Sequence, residues 1–365
     1  MVVLKKNIIF ASKLRLRMKG IGIIGCGKIA QIRHIPELMS NPDAQIVGCY
    51  DKNVSRAAEV AKAIGAKAYD NVDELLADGQ IDAVVVCVAN IAHCDVTVAA
   101  LKAGKDVLCE KPMAATLEEC ELMVDTAKAY GRKLMIAQNQ RLGDAHVKAK
   151  EMIDAGEIGR VLTFRTSFGH SGPENWSVDP GKNTWFFDKK QAAMGVMADL
   201  GIHKTDLIQH LIGQQVVATT ARLVTIDKKG ADGQPISVDD NAICIYEMSG
   251  GAIGTMVASW TYYGAEDNST VIYGTEGNMT IYDIDRAPIV IRKATGEVIE
   301  CELGQIQTND CQTKSGIDDA FMDCLVNDTE PLISGENVLA AMRAVFASIQ
   351  SSETGQRIEI PENRD

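Results

Sequence analysis

The stretch Gly20-Ile-Gly-Ile-Ile-Gly-Cys-Gly-Lys-Ile-Ala30 decides the fold of this 365-residue chain. Its apolar run from Ile21 to Ile24 predicts a short buried strand, and a helix is predicted to begin at Lys28. Between these two elements, Gly25 allows a tight turn out of the strand. Gly27 has no Cβ, so a pyrophosphate group can approach the backbone there. The loop therefore has the form of a dinucleotide-binding turn.

A second apolar strand, Gln45 to Tyr50, follows and ends in Asp51, about 20 residues after the loop. An acid at this place can accept hydrogen bonds from the ribose hydroxyls of an adenosine. The phosphates would face the first helix turn at Lys28 and Ile29, where free N–H groups and the helix dipole attract anions. The glycines could also form nothing more than a strand–turn–helix connection. The combination of strand, loop, helix and acid favours dinucleotide binding.

Composition argues against several classes of partner. The net charge is −12, from 37 basic and 49 acidic residues, and no strongly basic block occurs, which argues against nucleic acid. No apolar run approaches the roughly 20 residues of a membrane span, so no membrane partner is expected. The ten cysteines are scattered and form no C-x-x-C pair. They are expected to be small core residues of a protein in a reducing compartment, the cytoplasm.

Three segments are predicted along the chain. Residues 1–17 are interpreted as an N-terminal extension, with Met18 as the natural start. Residues 18–141 alternate between strand and helix signals, which predicts a doubly wound parallel sheet, a Rossmann domain that binds NAD(P). Residues 142–365 are predicted to form an α+β domain with a largely antiparallel open sheet, used for substrate binding and oligomerisation. The fold class is thus α/β followed by α+β.

The second sheet is expected to have an apolar outer face. The segment Ile243-Cys-Ile-Tyr246 carries apolar residues at successive positions, and these point to opposite faces of a strand. With helices on one face only, the other face would expose apolar side chains. The sequence therefore predicts a homodimer or homotetramer that covers this face.

The motif Cys109-Glu110-Lys111-Pro112 follows a predicted strand of the first sheet. Ligands of such sheets bind at the carboxyl ends of the strands, so Lys111 is expected to lie beside the cofactor. There it can donate a hydrogen bond to a substrate hydroxyl and lower the pKa of that hydroxyl. The alternative is a solvated lysine in a loop.

The second motif is Gly195-x-x-x-Asp199-x-x-x-His203, in a helical pattern that spans roughly 191–211. Positions four apart share one helix face, and Gly195 would give clearance there. His203 can accept a hydroxyl proton, while Asp199 can bind a neighbouring hydroxyl or orient the imidazole. Two alternatives are a metal site shared by Asp199 and His203, and a helix face directed to solvent. No third ligand is spaced nearby, so no metal is predicted.

With these residues the sequence resembles the Gfo/Idh/MocA family, which includes glucose–fructose oxidoreductase and inositol dehydrogenase. The resemblance covers essentially Met18 to the end. It rests on these motifs: Gly25-x-Gly27-x-x-Ala30, Asp51, Asn90-x-x-His93, Glu110-Lys111-Pro112, Asn139-x-Arg141 and Gly195-x3-Asp199-x3-His203.

The resemblance implies NAD(P)-dependent oxidation or reduction of a sugar or polyol, and oligomers built through the open sheet. It implies that Lys111 polarises the reacting hydroxyl, often with Pro112 in cis, that His203 is the general base, and that Asp199 binds substrate. Further implied contacts to the nicotinamide side of the cofactor come from Asn90, His93 and Glu110.

The substrate side is assigned to Arg141 and to the loop that carries Trp176 and Trp185. Flat aromatic faces suit the C–H surfaces of a sugar ring. The two tryptophans could also be core anchors of a long loop, and the sequence does not decide between these interpretations. Asp51 should repel a 2′-phosphate, so NAD is the predicted cofactor. NADP remains possible because Lys52 and Arg56 follow closely.

The main functional prediction is a hydride transfer between a nicotinamide cofactor and a hydroxyl carbon of a sugar, sugar derivative or polyol. Two alternatives stay open. One is an NAD-dependent glycosidase that oxidises a ring carbon transiently and eliminates the aglycone. The other is a non-catalytic nucleotide-binding regulator on the same fold, which need not keep Lys111, Asp199 and His203.

Overall fold

The computed structural model describes residues 18–283, 287–303 and 314–361. The predicted extension at 1–17 lies outside the described residues. The chain forms two sheets, one parallel and one mostly antiparallel, with helices packed around them. The predicted fold class is confirmed.

The first sheet has the strand order β3-β2-β1-β4-β5-β6, and every pairing in it is parallel. Its strands are β1 (Lys19–Ile24), β2 (Ala44–Tyr50), β3 (Lys67–Ala68), β4 (Ala83–Val86), β5 (Asp106–Cys109) and β6 (Leu134–Ile136). Helices α1 (Ile35–Ser40), α2 (Val54–Ile64), α3 (Val72–Ala77), α4 (His93–Lys102) and α5 (Leu117–Tyr130) connect them. All four residues of β4 are buried, as expected for a strand covered on both faces.

Local sequence signals fix several of these helices. Asn71 caps α3 by accepting a hydrogen bond from the backbone N–H of Glu74. Thr116 and Glu119 form a reciprocal capping box at the start of α5. Gly65 ends α2 in the left-handed conformation. Helix starts and stops in this half therefore follow from residues next to them.

The second half begins with α6 (Asp144–Asp154) and builds a nine-stranded sheet. Its strands, in chain order, are β7 (Val161–Gly169), β8 (Val216–Val224), β9 (Asn241–Met248), β10 (Ile253–Ser259), β11 (Thr270–Gly274), β12 (Gly277–Ile281), β13 (Ile289–Lys293), β14 (Val298–Cys301) and β15 (Ile358–Glu359). The spatial order is β14-β13-β12-β11-β7-β10-β9-β8-β15, and among these pairings only β7 with β10 is parallel. The remaining helices are α7 (Lys189–Ala192), α8 (Ile202–Ile212), α9 (Ile317–Asn327) and α10 (Gly335–Thr354).

The predicted continuous helix over 191–211 is wrong. The helix α7 ends after Ala192, and Ala193 adopts a positive φ of 63°. A short π-helix, Met197–Gly201, then leads into α8. Helical periodicity continues across the break, which is why the sequence pattern predicted one element.

The C-terminal helices return to the first sheet. The helix α9 packs against α1, β1 and β5, and α10 packs against α5, β6 and β8. Residues after 141, which were all assigned to a second domain, therefore also cover the first sheet.

Candidate active site

One cleft of about 1420 Å³ lies between the two sheets. The carboxyl ends of β1, β2, β4, β5 and β6 form one wall, and the segment 170–188, here called the strap, contributes to the other. Most predicted site residues line this cleft, in the following set: Gly25, Gly27, Lys28, Ile29, Asp51, Asn90, His93, Glu110, Lys111, Trp176, Trp185, Asp199 and His203.

The glycine-rich loop leaves room for a ligand. Gly25 has φ +97°, and a Cβ there would lie 2.5 Å from the carbonyl oxygen of Cys87, so only glycine fits without a shift. A Cβ at Gly27 would meet no described atom within 4 Å. The backbone at Gly27 is therefore open on the side where a pyrophosphate would bind.

Asp51 is held at the end of β2 by two backbone donors. Its Oδ2 accepts a hydrogen bond from the N–H of Cys26 at 2.7 Å, and its Oδ1 accepts one from the N–H of Asn53 at 2.7 Å. The guanidinium of Arg56 lies 3.7 Å from Oδ1 and also pairs with Asp179 of the strap at 2.7 Å. The carboxylate thus joins the glycine-rich loop to the end of β2.

Lys111 pairs with Asp199 across the cleft. Its Nζ donates to Asp199 Oδ1 and to the backbone oxygen of Asp199, both at 2.9 Å. The Lys111–Pro112 peptide bond is cis. The pair joins the first sheet to the π-helix before α8, so the two halves of the chain meet at these residues.

The carboxylate of Asp199 is anionic in this setting. Burial raises its pKa, but the Lys111 ammonium, nearby His170 and hydrogen bonds from Lys111 and Trp260 outweigh burial and lower the pKa below its ordinary value. The indole Nε1–H of Trp260 donates to Asp199 Oδ2 at 3.0 Å. No hydrogen bond links Asp199 to His203 among the described residues, so orientation of the imidazole by Asp199 finds no support.

His203 is a buried, neutral imidazole on α8. It is 7% exposed, and its Nδ1 has no hydrogen-bond partner among the described residues. Burial first, and the charge of Lys111 second, lower the pKa of His203 well below its ordinary value. A ring that lines the cleft in its neutral form can accept a proton.

Gly195 has no side chain, and the space that this leaves is occupied by another part of the protein. A Cβ there would lie 1.9 Å from the backbone oxygen of Asp239. The carboxylate of Asp239 accepts hydrogen bonds at 2.8 Å from the N–H groups of Gly195 and Met197. This loop contact fixes the start of the π-helix that carries Asp199.

Glu110 belongs to a buried network of polar side chains beneath the cleft. It accepts hydrogen bonds at 3.0 Å from His34 Nε2 and from the backbone N–H of Lys111. Burial raises the pKa of Glu110, yet His34, Arg33 and Lys111 together lower it to about 2. His34 also contacts Asp318 of α9 at 2.9 Å. The sequence interpretation missed this hydrogen-bond network from α9 to Lys111, because residues 34 and 318 are far apart in the sequence and meet only in the folded protein.

Asn90 and His93 hold loops at the nicotinamide end predicted for them. The amide of Asn90 donates to the backbone oxygen of Ala192 at 2.9 Å. The two ring nitrogens of His93 lie 2.7 Å from the oxygen of Pro112 and 3.1 Å from that of Val88. Burial lowers the pKa of His93, so the ring is neutral and donates to one of these carbonyls.

The two tryptophans of the strap line the cleft and are half-buried. Trp185 stacks on Phe186 with a centroid distance of 4.0 Å. Trp176 has a buried Nε1 without a partner among the described residues. Their position is compatible with an aromatic substrate wall.

Arg141 requires a correction. It does not line the cleft, because its Nε donates to Asp206 Oδ2 at 2.7 Å and Nη2 contacts Oδ1 of the same carboxylate. Asp206 is itself buried on α8. Arg141 therefore joins the end of the first sheet to α8 and is not assigned a substrate contact.

Three further features of the described residues concern metal ligands, membrane-spanning helices and cysteines. No group of three or more His, Cys, Asp and Glu that could hold a metal occurs within 18–283, 287–303 and 314–361. None of the helices in these ranges is long and apolar enough to cross a membrane. Nine cysteines in the described part of the chain are free thiols.

Comparison with known proteins agrees with this architecture. Residues 19–138 match a family model described as an oxidoreductase family with an NAD-binding Rossmann fold. Residues 146–280 match the model of the GFO/IDH/MocA C-terminal domain.

Individual relatives carry names of sugar enzymes. Levoglucosan dehydrogenase of Pseudarthrobacter phenanthrenivorans is 30% identical over 255 residues. The match covers 65% of this chain and 64% of that protein, slightly under two thirds of its length. The 1,5-anhydro-D-fructose reductase of Ensifer adhaerens is 28% identical over 344 residues, with 93% of this chain and 98% of that protein covered.

A solved levoglucosan dehydrogenase in complex with NADH and levoglucosan has a TM-score of 0.83 to this chain at 23% identity. The match covers 94% of this chain and 100% of that one, and it concerns the fold. The family predicted from the motifs is confirmed by the two family models. The chain belongs to the Gfo/Idh/MocA family of NAD-binding oxidoreductases.

Proposed function

We propose that the chain is an NAD-dependent dehydrogenase or reductase that acts on a hydroxyl carbon of a sugar, sugar derivative or polyol. The observation that carries this proposal is the joint position of Lys111, Asp199 and His203 in the cleft that also contains the open glycine-rich loop. The names of the two relatives, a levoglucosan dehydrogenase and an anhydrofructose reductase, support a carbohydrate substrate.

The residues present fit NAD. The open backbone at Gly27 suits the pyrophosphate, with Lys28 and Ile29 beside it, and Asp51 suits the ribose hydroxyls. Asn90, His93 and Glu110 line the cleft at the ends of β4 and β5, where we propose the nicotinamide side. When bound, NAD supplies the group that accepts or returns a hydride.

Proton transfer is assigned to His203. The ring is neutral near pH 7 because burial opposes its charged form, so it can accept the hydroxyl proton as the alcohol becomes a carbonyl. In the reductive direction the imidazolium returns that proton. Burial and the neighbouring Lys111 charge favour release of the proton from the imidazolium.

Lys111 is assigned to the same hydroxyl. Its ammonium is a hydrogen-bond donor that favours the developing alkoxide. Asp199 anchors this ammonium through two acceptors, and we propose that the carboxylate also binds a neighbouring hydroxyl of the substrate. Trp176 and Trp185 are proposed to pack on the sugar ring.

Assembly and location are part of the same proposal. We propose a homodimer or homotetramer formed through the outer face of the second sheet, which exposes Ile243 and Ile245. The free cysteines fit a reducing compartment, and we propose the cytoplasm. Membranes and nucleic acids are not proposed as partners.

The test is a panel of sugars, aryl glycosides, anhydrosugars and inositols, each incubated with NAD or NADP and followed by nicotinamide absorbance and, for the glycosides, by release of the aglycone. We expect net NADH formation with at least one member, and much slower formation with Lys111→Ala. A glycosidase would release the aglycone without net NADH. Absence of both signals, with tight NAD binding, would contradict the enzymatic proposal.

A further inference from the structure

Trp260 is a fully buried residue directly after β10, and its indole binds the carboxylate at the centre of the cleft. Its side chain is 0% exposed, and Nε1–H donates to Asp199 Oδ2 at 3.0 Å. An indole has one donor and no acceptor, so this carboxylate satisfies its whole hydrogen-bonding capacity. The backbone N–H of Trp260 is bound to the oxygen of Asp240, which fixes the residue in the sheet.

The two oxygens of Asp199 have different partners. Oδ1 accepts from Lys111 and Oδ2 accepts from Trp260, so one donor comes from each half of the chain. The terminal torsion of an aspartate is broad, and a carboxylate held at one oxygen can rotate. The second donor restricts this rotation, and with it the direction of the Lys111 ammonium.

Two phenylalanines of the strap lie beside the indole. The ring centroid of Trp260 lies 5.9 Å from that of Phe187 and 6.5 Å from that of Phe186, the latter in an edge-on arrangement. Phe186 stacks in turn on Trp185, which lines the cleft. A continuous aromatic path therefore runs from the proposed substrate wall to the Asp199 carboxylate.

We propose that Trp260 is a positioning residue that couples the strap to the Lys111–Asp199 pair. The indole N–H sets the orientation of the carboxylate, and the strap phenylalanines set the position of the indole. Substrate seated against the strap thereby aligns the ammonium with the reacting hydroxyl. The kinetic part of this inference rests on the proposed dehydrogenase function.

The first experiment is a double-mutant cycle on kcat/KM. Trp260→Phe keeps a buried ring and removes the N–H, and we expect it to lower kcat/KM about 10- to 100-fold, the range for a hydrogen bond to a charged group. In an Asp199→Ala background the same substitution should change kcat/KM less than about twofold, because Trp260 acts through Asp199. Equal losses in both backgrounds would overturn the inference and indicate a merely structural role.

The matched control is Tyr246→Phe, in the neighbouring strand β9. Tyr246 is also fully buried, and its hydroxyl shares a hydrogen bond with Thr205 at 2.8 Å away from the cleft lining. This variant removes a buried hydrogen-bonding group from an aromatic ring and should keep wild-type kcat/KM. A loss as large as that of Trp260→Phe would show that general destabilisation accounts for both.

The second experiment needs no turnover. The chain has three tryptophans, so the indole N–H signals in a ¹H–¹⁵N spectrum can be assigned with single Trp→Phe variants. The Trp260 proton should lie downfield of that of Trp176, whose Nε1 has no partner among the described residues, and should move upfield in Asp199→Ala. Phe186→Leu should shift the Trp260 signal as well. An unchanged Trp260 signal in both variants would overturn the inference.

The two experiments separate this inference from the proposed function. If the wild type neither oxidises nor reduces any sugar, sugar derivative or polyol, the proposed function fails and the indole spectrum alone decides the Trp260 contact. If the wild type is active but Trp260→Phe retains its kcat/KM, the inference fails and the dehydrogenase proposal stands.

Discussion

His203 combines burial, a neutral ring and a place in the cleft, and these three properties suit a general base. We expect His203→Ala to lower kcat about 10²- to 10⁴-fold, with little change in the dissociation constant of NAD. Lys111→Ala should also lower kcat, and the two losses should be less than additive because both residues act on one hydroxyl. Stopped-flow and steady-state kinetics of the single and double variants measure this. Near-normal turnover of His203→Ala would leave Lys111 as the proton acceptor.

The pH dependence follows from the same residue. The folded pKa of His203 lies below the ordinary histidine value of about 6.5, so the base form persists to lower pH than in a free histidine. The acid limb of kcat/KM for alcohol oxidation should therefore fall below pH 6.5. Replacing Lys111 by methionine removes one cause of the low pKa, so the limb of the residual activity should move to higher pH. A limb that stays in place would show that Lys111 does not influence the base.

Asp51 decides the predicted cofactor preference. Its carboxylate lines the cleft at the end of β2, where we propose that the ribose binds, and like charge should repel a 2′-phosphate, so kcat/KM should be higher with NAD than with NADP. Asp51→Asn should lower the NAD-to-NADP ratio of kcat/KM about tenfold, because it removes the repulsion. Asp70→Asn, an exposed carboxylate outside the cleft lining, is the control and should leave the ratio unchanged. A wild-type preference for NADP would show that Lys52 and Arg56 prevail.

Short motifs allowed the sequence to place Gly25, Gly27, Asp51, Lys111, Asp199 and His203 in one cleft. Each of these residues either follows the end of a strand or lies at a helical spacing from another of them. Both patterns can be recognised from residues that are close together in the sequence. Trp260 and Arg141 show the limit. Trp260 reaches Asp199 across 61 positions, and Arg141 is paired with Asp206 across 65 positions. A local sequence pattern does not predict such partners, because the residues come together only when the two sheets pack.

At the scale of elements, the break between α7 and the π-helix is the feature that the periodicity concealed. Gly195 lies in this break, and its backbone packs directly on Asp239. Gly195→Ala should lower the free energy of unfolding by about 2–4 kcal/mol, because the added methyl must displace the backbone of Asp239. It should also lower kcat, since Asp199 lies one turn further on.

The control for this substitution is Gly79→Ala. No described atom lies within 4 Å of a Cβ at Gly79, and its φ is not positive, so the change should be within about 0.5 kcal/mol of neutral. Thermal and urea unfolding of both variants gives the comparison. Equal stability of Gly195→Ala and Gly79→Ala would show that the Asp239 loop moves freely.

The elements of the first sheet were the most predictable, and those near the cleft the least. The apolar runs Ile21 to Ile24 and Gln45 to Tyr50 predicted β1 and β2, and alternating strand and helix signals predicted the parallel sheet. Between 170 and 201 the chain instead follows contacts with distant segments, such as Gly195 with Asp239 and Lys228 with Ser171 of the strap. Local propensity is a weak guide where tertiary contacts determine the backbone.

At the scale of the whole molecule, the second sheet has one buried and one open face. Ala242, Cys244 and Tyr246 of β9 are fully buried on the helix side. On the opposite face Ile243 and Ile245 are 54% and 44% exposed, and cross-strand pairing places Val257 beside Ile243 and Thr255 beside Ile245. Exposed Ile253 of β10 and Tyr273 of β11 lie on the same face. Exposed apolar side chains therefore recur along this face, interspersed with polar ones such as Arg222, which pairs with Ile243. Exposed apolar residues on one face of a sheet are typical of an interface.

We expect this face to bury a second copy of the chain, so the wild type should be a dimer or tetramer by light scattering at micromolar concentration. Ile245→Glu places a charge at the centre of the face and should shift the molecular mass toward the monomer, because an unpaired buried carboxylate is costly. Leu332→Glu is the matched control, since Leu332 is 63% exposed on the connection between α9 and α10. It should leave the mass unchanged. A monomeric wild type, or equal masses for wild type and Ile245→Glu, would contradict the assignment of this face to self-association.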